Sequence, residues 1–272
     1  MFTMGTPRPS TTRTRAPRRP RRKRGLFAVG TGRPRTPARR PGRRVRRPSA
    51  RAGVGETGGM TAVEAPRAIR HPVPYYAQWE SPGLVPAIIA GDMRAAEDPL
   101  WQKSGAVTAE EYGFWSWRMC GMACLRMALD HWRGGAPPSV VLAEECREAG
   151  AYVRHADRVD GLIYAPFAAY ARRRWGLFAE SRPELTAAEV RAELAAGRLA
   201  MLSVHPSIRT PGGAPPATRG GHLVLAVGAD DGHLLIHNPS GFPGASQEFA
   251  RVPWDALGRF YAGRGVVLGP HA

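Results

Sequence analysis

The sequence predicts an α+β fold, in which a helical N-terminal half packs on an antiparallel sheet supplied by the C-terminal half. Three observations carry this. Between residues 108 and 197, apolar side chains recur at spacings of three and four, the period of a helix with one buried face. From residue 199 onward, short apolar runs are separated by Gly, Pro and Asp turns, which punctuate strands and hairpins. Helices first and strands later is the order of an α+β domain, not of an alternating α/β one. With 272 residues and 43% hydrophobic content, the chain can bury a sizeable core.

The first 70 residues stand apart from this pattern. They hold 20 of the 39 Lys and Arg residues but only Glu56 and Glu64 of the 22 acids, so the net charge of +17 belongs to them and the remainder is nearly balanced. Residues 7–51 are Arg, Pro, Gly, Thr and Ala with almost no large apolar side chain, a composition that cannot offset ordering entropy. A disordered basic leader is expected over residues 1–70, with Met60 as a second candidate start. Its Arg clusters at 18–24 and 43–47 suit nonspecific contact with nucleic acid or an anionic surface through residues 1–51. No interleaved aromatics are there to stack bases. After Arg24 only residues 26–29 are apolar, too short for a secretory core, and no run approaches the roughly 20 apolar residues of a membrane span. A cytoplasmic protein without a transmembrane segment is expected, and three cysteines fit a reducing compartment better than a disulfide framework.

The helices and strands can be placed in chain order. Thr108 and Glu111 have capping-box spacing and open a helix through the aromatic run ending near Trp117. Met122, Leu125, Leu129 and Trp132 make one apolar stripe of the next helix, and a third, over residues 140–149, ends at Gly150. A helix after Pro166 finishes in Arg172, Arg173 and Arg174, which suit its C-terminal dipole. Thr186 and Glu189 cap a further helix ending at Gly197, and residues 199–205 read as a buried strand. The Pro/Gly-rich residues 206–219 are a loop just before His222, placed to gate access to it. Residues 220–241 form two strands about an Asp-Asp-Gly turn, and residues 249–252 and 265–268 close the sheet around a short helix at 254–260.

Cys120 falls where the aromatic segment gives way to the helix of Met122. There the unpaired N–H groups and positive dipole end favour a thiolate and can hold an oxyanion. Folding the hairpin about Asp230 sets His222 opposite Asn238. An amide beside an imidazole fixes the ring's tautomer while the ring activates a thiol. Cys124 and Cys146 lie in helical patterns that packing explains. His233 and His237 face one side of the hairpin but lack a third ligand of clear origin, and they and His205 are expected to face solvent or be hydrogen-bonded, so neither a metal nor a cofactor is expected.

Cys120-Gly-Met-Ala-Cys-Leu125, Gly220-Gly-His222 and Asn238-Pro239, in that order, resemble the papain-like C39 family of cysteine peptidases, particularly its stand-alone C39-like branch. The resemblance spans roughly residues 73–269. It implies a papain-like fold over a domain at 71–272, with Cys120 as nucleophile, His222 as base and Asn238 as its orienting partner. It also implies an oxyanion hole from the Cys120 backbone N–H and Gln78. Gln78 lies farther upstream of Cys120 than the family's glutamine does, which implies an insertion at about residues 81–112. It is placed either to roof the cleft or to anchor an accessory helix to the core, the second being the role expected of most of its aromatics. The function expected is hydrolysis of a peptide or amide bond in a peptide or protein substrate. A thiol-dependent acyl or peptidyl transferase and a non-catalytic peptide- or partner-binding protein of the same fold are the alternatives, and oligomeric state is not readable.

Overall fold

Strand pairing organises the chain. In the computed structural model, which describes residues 68–156 and 158–271, seven antiparallel strands form one sheet. Its main path runs β2 (Phe178–Arg182), β7 (Tyr261–Gly269), β3 (Leu199–Val204), β4 (His222–Asp230), β5 (His233–His237) and β6 (Ala250–Pro253). β1 (Ala68–Arg70) takes over the edge of β4 that β3 leaves free, pairing Ala68 with Asp230 and Arg70 with Gly228. Residues 68–70, placed before the boundary expected at residue 71, thus belong to the sheet. The leader's disorder, its contacts and the start at Met60 fall outside the described residues.

Side-chain alternation divides the sheet into two buried faces. Leu199, Met201, Leu223, Leu225, Val266 and Leu268 join the core of α2 (Ala109–Ser116), α3 (Cys120–Arg133), α4 (Ser139–Glu148) and α5 (Tyr164–Trp175). Ala200, Leu202, Val204, Val224 and Val267 pack against α6 (Ala187–Ala195) and the short α7 (Trp254–Leu257). This is the α+β arrangement expected, with helices also on the second face.

α3 departs from its sequence pattern. A single stripe was expected, yet every residue from Gly121 to Leu129 is buried and Trp132 is only partly so. The helix has neighbours all round, and even Arg126 is enclosed, paired with Glu80 at 3.0 Å while Ser139 Oγ donates to the same carboxylate at 2.7 Å. A buried charge is tolerable only with such partners.

Local capping follows the sequence closely. Thr186 and Glu189 exchange side-chain and backbone bonds, and Thr108 Oγ1 accepts from Glu111 N at 3.1 Å. Glu111 bonds Val107 N instead of completing the reciprocal box. α5 begins at Tyr164, ahead of Pro166, because the first turn has no intrahelical acceptor for the N–H that proline lacks.

Residues 82–104 form α1 (Val85–Ala90) and three short 3-10 turns. Asp98 fastens them, accepting from Ser81 N, Ser81 Oγ, Leu100 N and Tyr112 OH. Tyr112 and Trp115 are fully buried, so these two aromatics serve as anchors. No helix among the described residues is long and apolar enough to cross a membrane, and no group of three potential metal ligands occurs among them.

Candidate active site

A cleft of about 520 Å³ opens between the start of α3 and the start of β4. Its lining includes Cys120, His222, Leu223, Trp117 and Leu162. None of residues 81–112 or 206–219 lines it, which corrects the expected roof and gate: the wall opposite the strands comes instead from residues 159–165. Leu162 Cδ2 packs 2.7 Å from the point a Cβ on Gly121 would occupy, so the glycine after Cys120 lets this wall close over the helix start.

Cys120 is the first residue of α3. The residue keeps some solvent contact, but its sulfur is ringed by protein atoms, and burial pushes the thiol up from its usual range. Backbone N–H groups of Leu223, Gly121 and Cys120 itself oppose that shift without cancelling it. The expected bias toward thiolate is therefore reversed in the resting protein. Desolvation outweighs the helix end.

His222 is presented by two successive glycines with left-handed backbones, Gly220 at φ 85° and Gly221 at φ 93°, which only glycine adopts without strain. The register expected for its hairpin does not hold. Asp230 Oδ1 accepts from Gly232 N and His233 N, moving the turn one residue on, and a bulge at Val227 separates the pairs Ala226↔Ile236 and Gly228↔Leu235. Pairing stops at Leu225↔His237; continued three residues, it would bring His222 level with Ser240.

Asn238 reaches His222 by leaving the ladder. A turn closed by Gly241 N to Asn238 O at 2.9 Å swings the amide inward, and Asn238 Oδ1 lies 2.9 Å from His222 Nε2. Ser240 N donates to the same Oδ1 at 3.1 Å. Because a backbone N–H can only donate, this contact fixes Oδ1 as the acceptor and so requires the proton of His222 to sit on Nε2. Nδ1 is left with its lone pair, has no partner among the described residues, and is not sealed from solvent. Burial lowers the His222 pKa to about 4, the bond to Asn238 opposing this and the charge of Arg209 reinforcing it. Near neutrality both thiol and imidazole are uncharged.

Two contributors went unread in the sequence. Ser240 Oγ lies 3.0 Å from His222 Nε2, and Arg209 Nε donates to Ser240 O at 2.7 Å and to its Oγ at 3.2 Å. The Asn-Pro-Ser-Gly string is a turn signal that marked Ser240's neighbourhood. Nothing in the sequence pointed to Arg209. Gln78 is buried; its N bonds Pro239 O at 2.8 Å and its Nε2 donates to Ser116 O at 3.0 Å, leaving one amide hydrogen. It is not among the residues lining the cleft. His205 bonds Ser207, His233 bonds Asp230, and His237 is buried against Val73 and Phe249, so the described structure gathers none of them with Cys120.

No family model matches the chain, and no curated protein matches it. Among solved structures, it is similar to the peptidase domain of Streptococcus ComA, a bi-functional ABC transporter involved in a quorum sensing pathway. The two share 16% identity over 57% of this chain and 93% of that one, with a TM-score of 0.40. It is also similar to a double glycine motif protease from an AMS/PCAT transporter in complex with the leader peptide, at 16% identity over 56% of this chain and 84% of that one, with a TM-score of 0.36.

Proposed function

We propose that the chain is a cysteine peptidase-like hydrolase of papain-like architecture, acting on a peptide or amide bond through Cys120, His222 and Asn238. One observation carries this reading. The bond from Ser240 N to Asn238 Oδ1 forces the His222 proton onto Nε2, which leaves Nδ1 unprotonated on a ring that lines the same cleft as Cys120.

The chemistry starts from two neutral partners. As the Cys120 sulfur bonds to the carbonyl carbon, its proton passes to Nδ1, and the carbonyl becomes an oxyanion. The N–H groups at the start of α3, with the spare amide hydrogen of Gln78, are the donors nearest in kind to an oxyanion hole. The imidazolium, steadied by Asn238 Oδ1, then gives its proton to the departing amine as the C–N bond breaks, leaving a thioester. Water attacks the thioester with Nδ1 as base, releasing a carboxylate product and the thiol. An amine or thiol taking the place of water makes the same site a transferase.

Incubation with a peptide electrophile followed by mapping of the adduct tests the reading. Cys120 takes the label before Cys124 and Cys146, whose thiols are buried, and His222→Ala removes the preference. Equal labelling of all three cysteines in folded protein, or turnover surviving Cys120→Ala, overturns it.

A further inference from the structure

The strand side of the cleft carries polar groups that the proposed chemistry does not use. Ser203 lies on β3 opposite Leu223, the residue after His222. It is only 2% exposed, its hydroxyl has no partner among the described residues, and it lines the cleft. Its oxygen is not sealed from solvent, so the hydroxyl reaches the cleft with its hydrogen-bonding capacity unspent and is free to bond a ligand atom. Leu202 pairs with Gly265 on β7, just before the register of the two strands shifts, and Arg264, the residue before Gly265, lines the same cleft. Ser203 Oγ and Arg264 Nη2 both pack beside the Cα of Gly220, 3.0 and 3.3 Å from where a Cβ on it would stand, so the hydroxyl and the guanidinium are neighbours on this wall.

Charge favours an anion there. Among the described residues, Arg264 is exposed and has neither a carboxylate nor a hydrogen-bond partner. Arg118, the other cleft arginine, is turned to Phe114, bonding its carbonyl at 2.6 Å and covering its ring. The cleft's carboxylate, Asp160, is held by His155 at 3.0 Å and Arg158 at 3.7 Å, which leaves Arg264 uncompensated. An arginine fork beside a hydroxyl matches the geometry of a carboxylate.

We infer that Ser203 and Arg264 form a carboxylate-binding subsite, so that the substrate presents an acidic side chain or its own C-terminal carboxylate close to the bond attacked. The inference rests on the reading of Cys120 as nucleophile. It concerns selectivity, and it is separable from reactivity.

Paired alkylating agents make that separation on the full-length chain. In iodoacetate and iodoacetamide alike the Cys120 sulfur, giving up its proton, bonds the methylene carbon as the C–I bond breaks and iodide leaves to solvent; the two reagents differ in carrying a carboxylate or an amide. The ratio of their rates at Cys120 should favour iodoacetate relative to free cysteine, fall roughly fivefold or more in Arg264→Gln, and recover in part in Arg264→Lys. Ser203→Ala should lower the ratio less. A ratio equal to that of free cysteine, or one lost in Arg118→Gln but kept in Arg264→Gln, overturns the subsite while leaving the nucleophile standing. Failure of both reagents to single out Cys120 overturns the nucleophile and the subsite with it. Protection of Cys120 by short peptides then separates the two sources. Stronger protection by a free acid than by its amide assigns a C-terminal carboxylate, stronger protection by an Asp peptide than by its Asn isostere assigns a side chain, and no difference in either pair overturns the subsite.

Discussion

His222 opens β4 and His237 closes β5, His222 facing the cleft and His237 the core; both are buried, yet their surroundings give them opposite capacities. In the core, His237 Nε2 bonds Val73 O at 2.8 Å and its Nδ1 accepts from Phe249 N at 3.0 Å. Both ring nitrogens are spent. At the cleft, His222 spends Nε2 on Asn238 and keeps Nδ1 free. What separates a structural histidine from a candidate base is the number of nitrogens left over. Burial does not separate them, since it lowers the pKa of both.

The largest expected effect sets the two rings apart directly. His222→Ala should reduce turnover by about a thousandfold or more with the fold intact, because the group that takes the thiol proton is gone. His237→Ala should instead cost roughly 2–4 kcal/mol of stability, as Val73 O and Phe249 N are left unpaired in the core, while protein that remains folded keeps its turnover. Urea melts and assays on the pair decide the matter. A thousandfold loss of turnover in folded His237→Ala would collapse the distinction.

Acid sharpens the comparison next. In the unfolded chain His222 takes up a proton near pH 6.5, but in the folded chain only near pH 4. Between those values the unfolded state binds more protons. The contribution is therefore intact above pH 6.5, declines as pH falls toward 4, and amounts at most to about 3 kcal/mol. Stability measured at pH 7 and pH 4 should fall by that much more in the wild type than in His222→Gln. Turnover should keep an acid limb near pH 4; a limb at 6.5 would show that the ring is not held neutral by burial.

Asn238 offers a smaller handle. Its Nδ2 is buried without a partner, so Asn238→Asp exchanges an unsatisfied donor for an oxygen of the same size. The new carboxylate should stabilise the His222 cation and raise the acid limb by about one pH unit or more, whereas Asn238→Ala should leave a residual rate that is roughly tenfold or further reduced. An unmoved limb in Asn238→Asp would mean that Oδ1 does not govern the ring.

Gly121→Ala should have the least effect on stability. The added methyl meets side-chain ends at Leu162 and Leu223 that can shift, so the cost should stay near about 1 kcal/mol. Displacement of Leu162 should nevertheless change the rate at which Cys120 is alkylated, relative to Cys146. An unchanged rate would show that Leu162 does not limit access to the sulfur.

By itself the sequence determined what depends on neighbours along the chain. Thr108 and Thr186 cap the helices they were expected to cap, Cys120 begins α3, and the strands after residue 199 pair antiparallel, because capping, periodicity and turn chemistry act over a few residues. Tertiary structure decided the rest. The bulge at Val227 moved the hairpin register, and a turn after His237 brought Asn238 to His222 all the same. Arg209, 31 residues before Ser240, came to support it through contacts that no local pattern encodes. The state of the Cys120 thiol was decided the same way. A helix start favours the thiolate, but desolvation depends on everything packed around the sulfur, and that is a property of the folded chain alone.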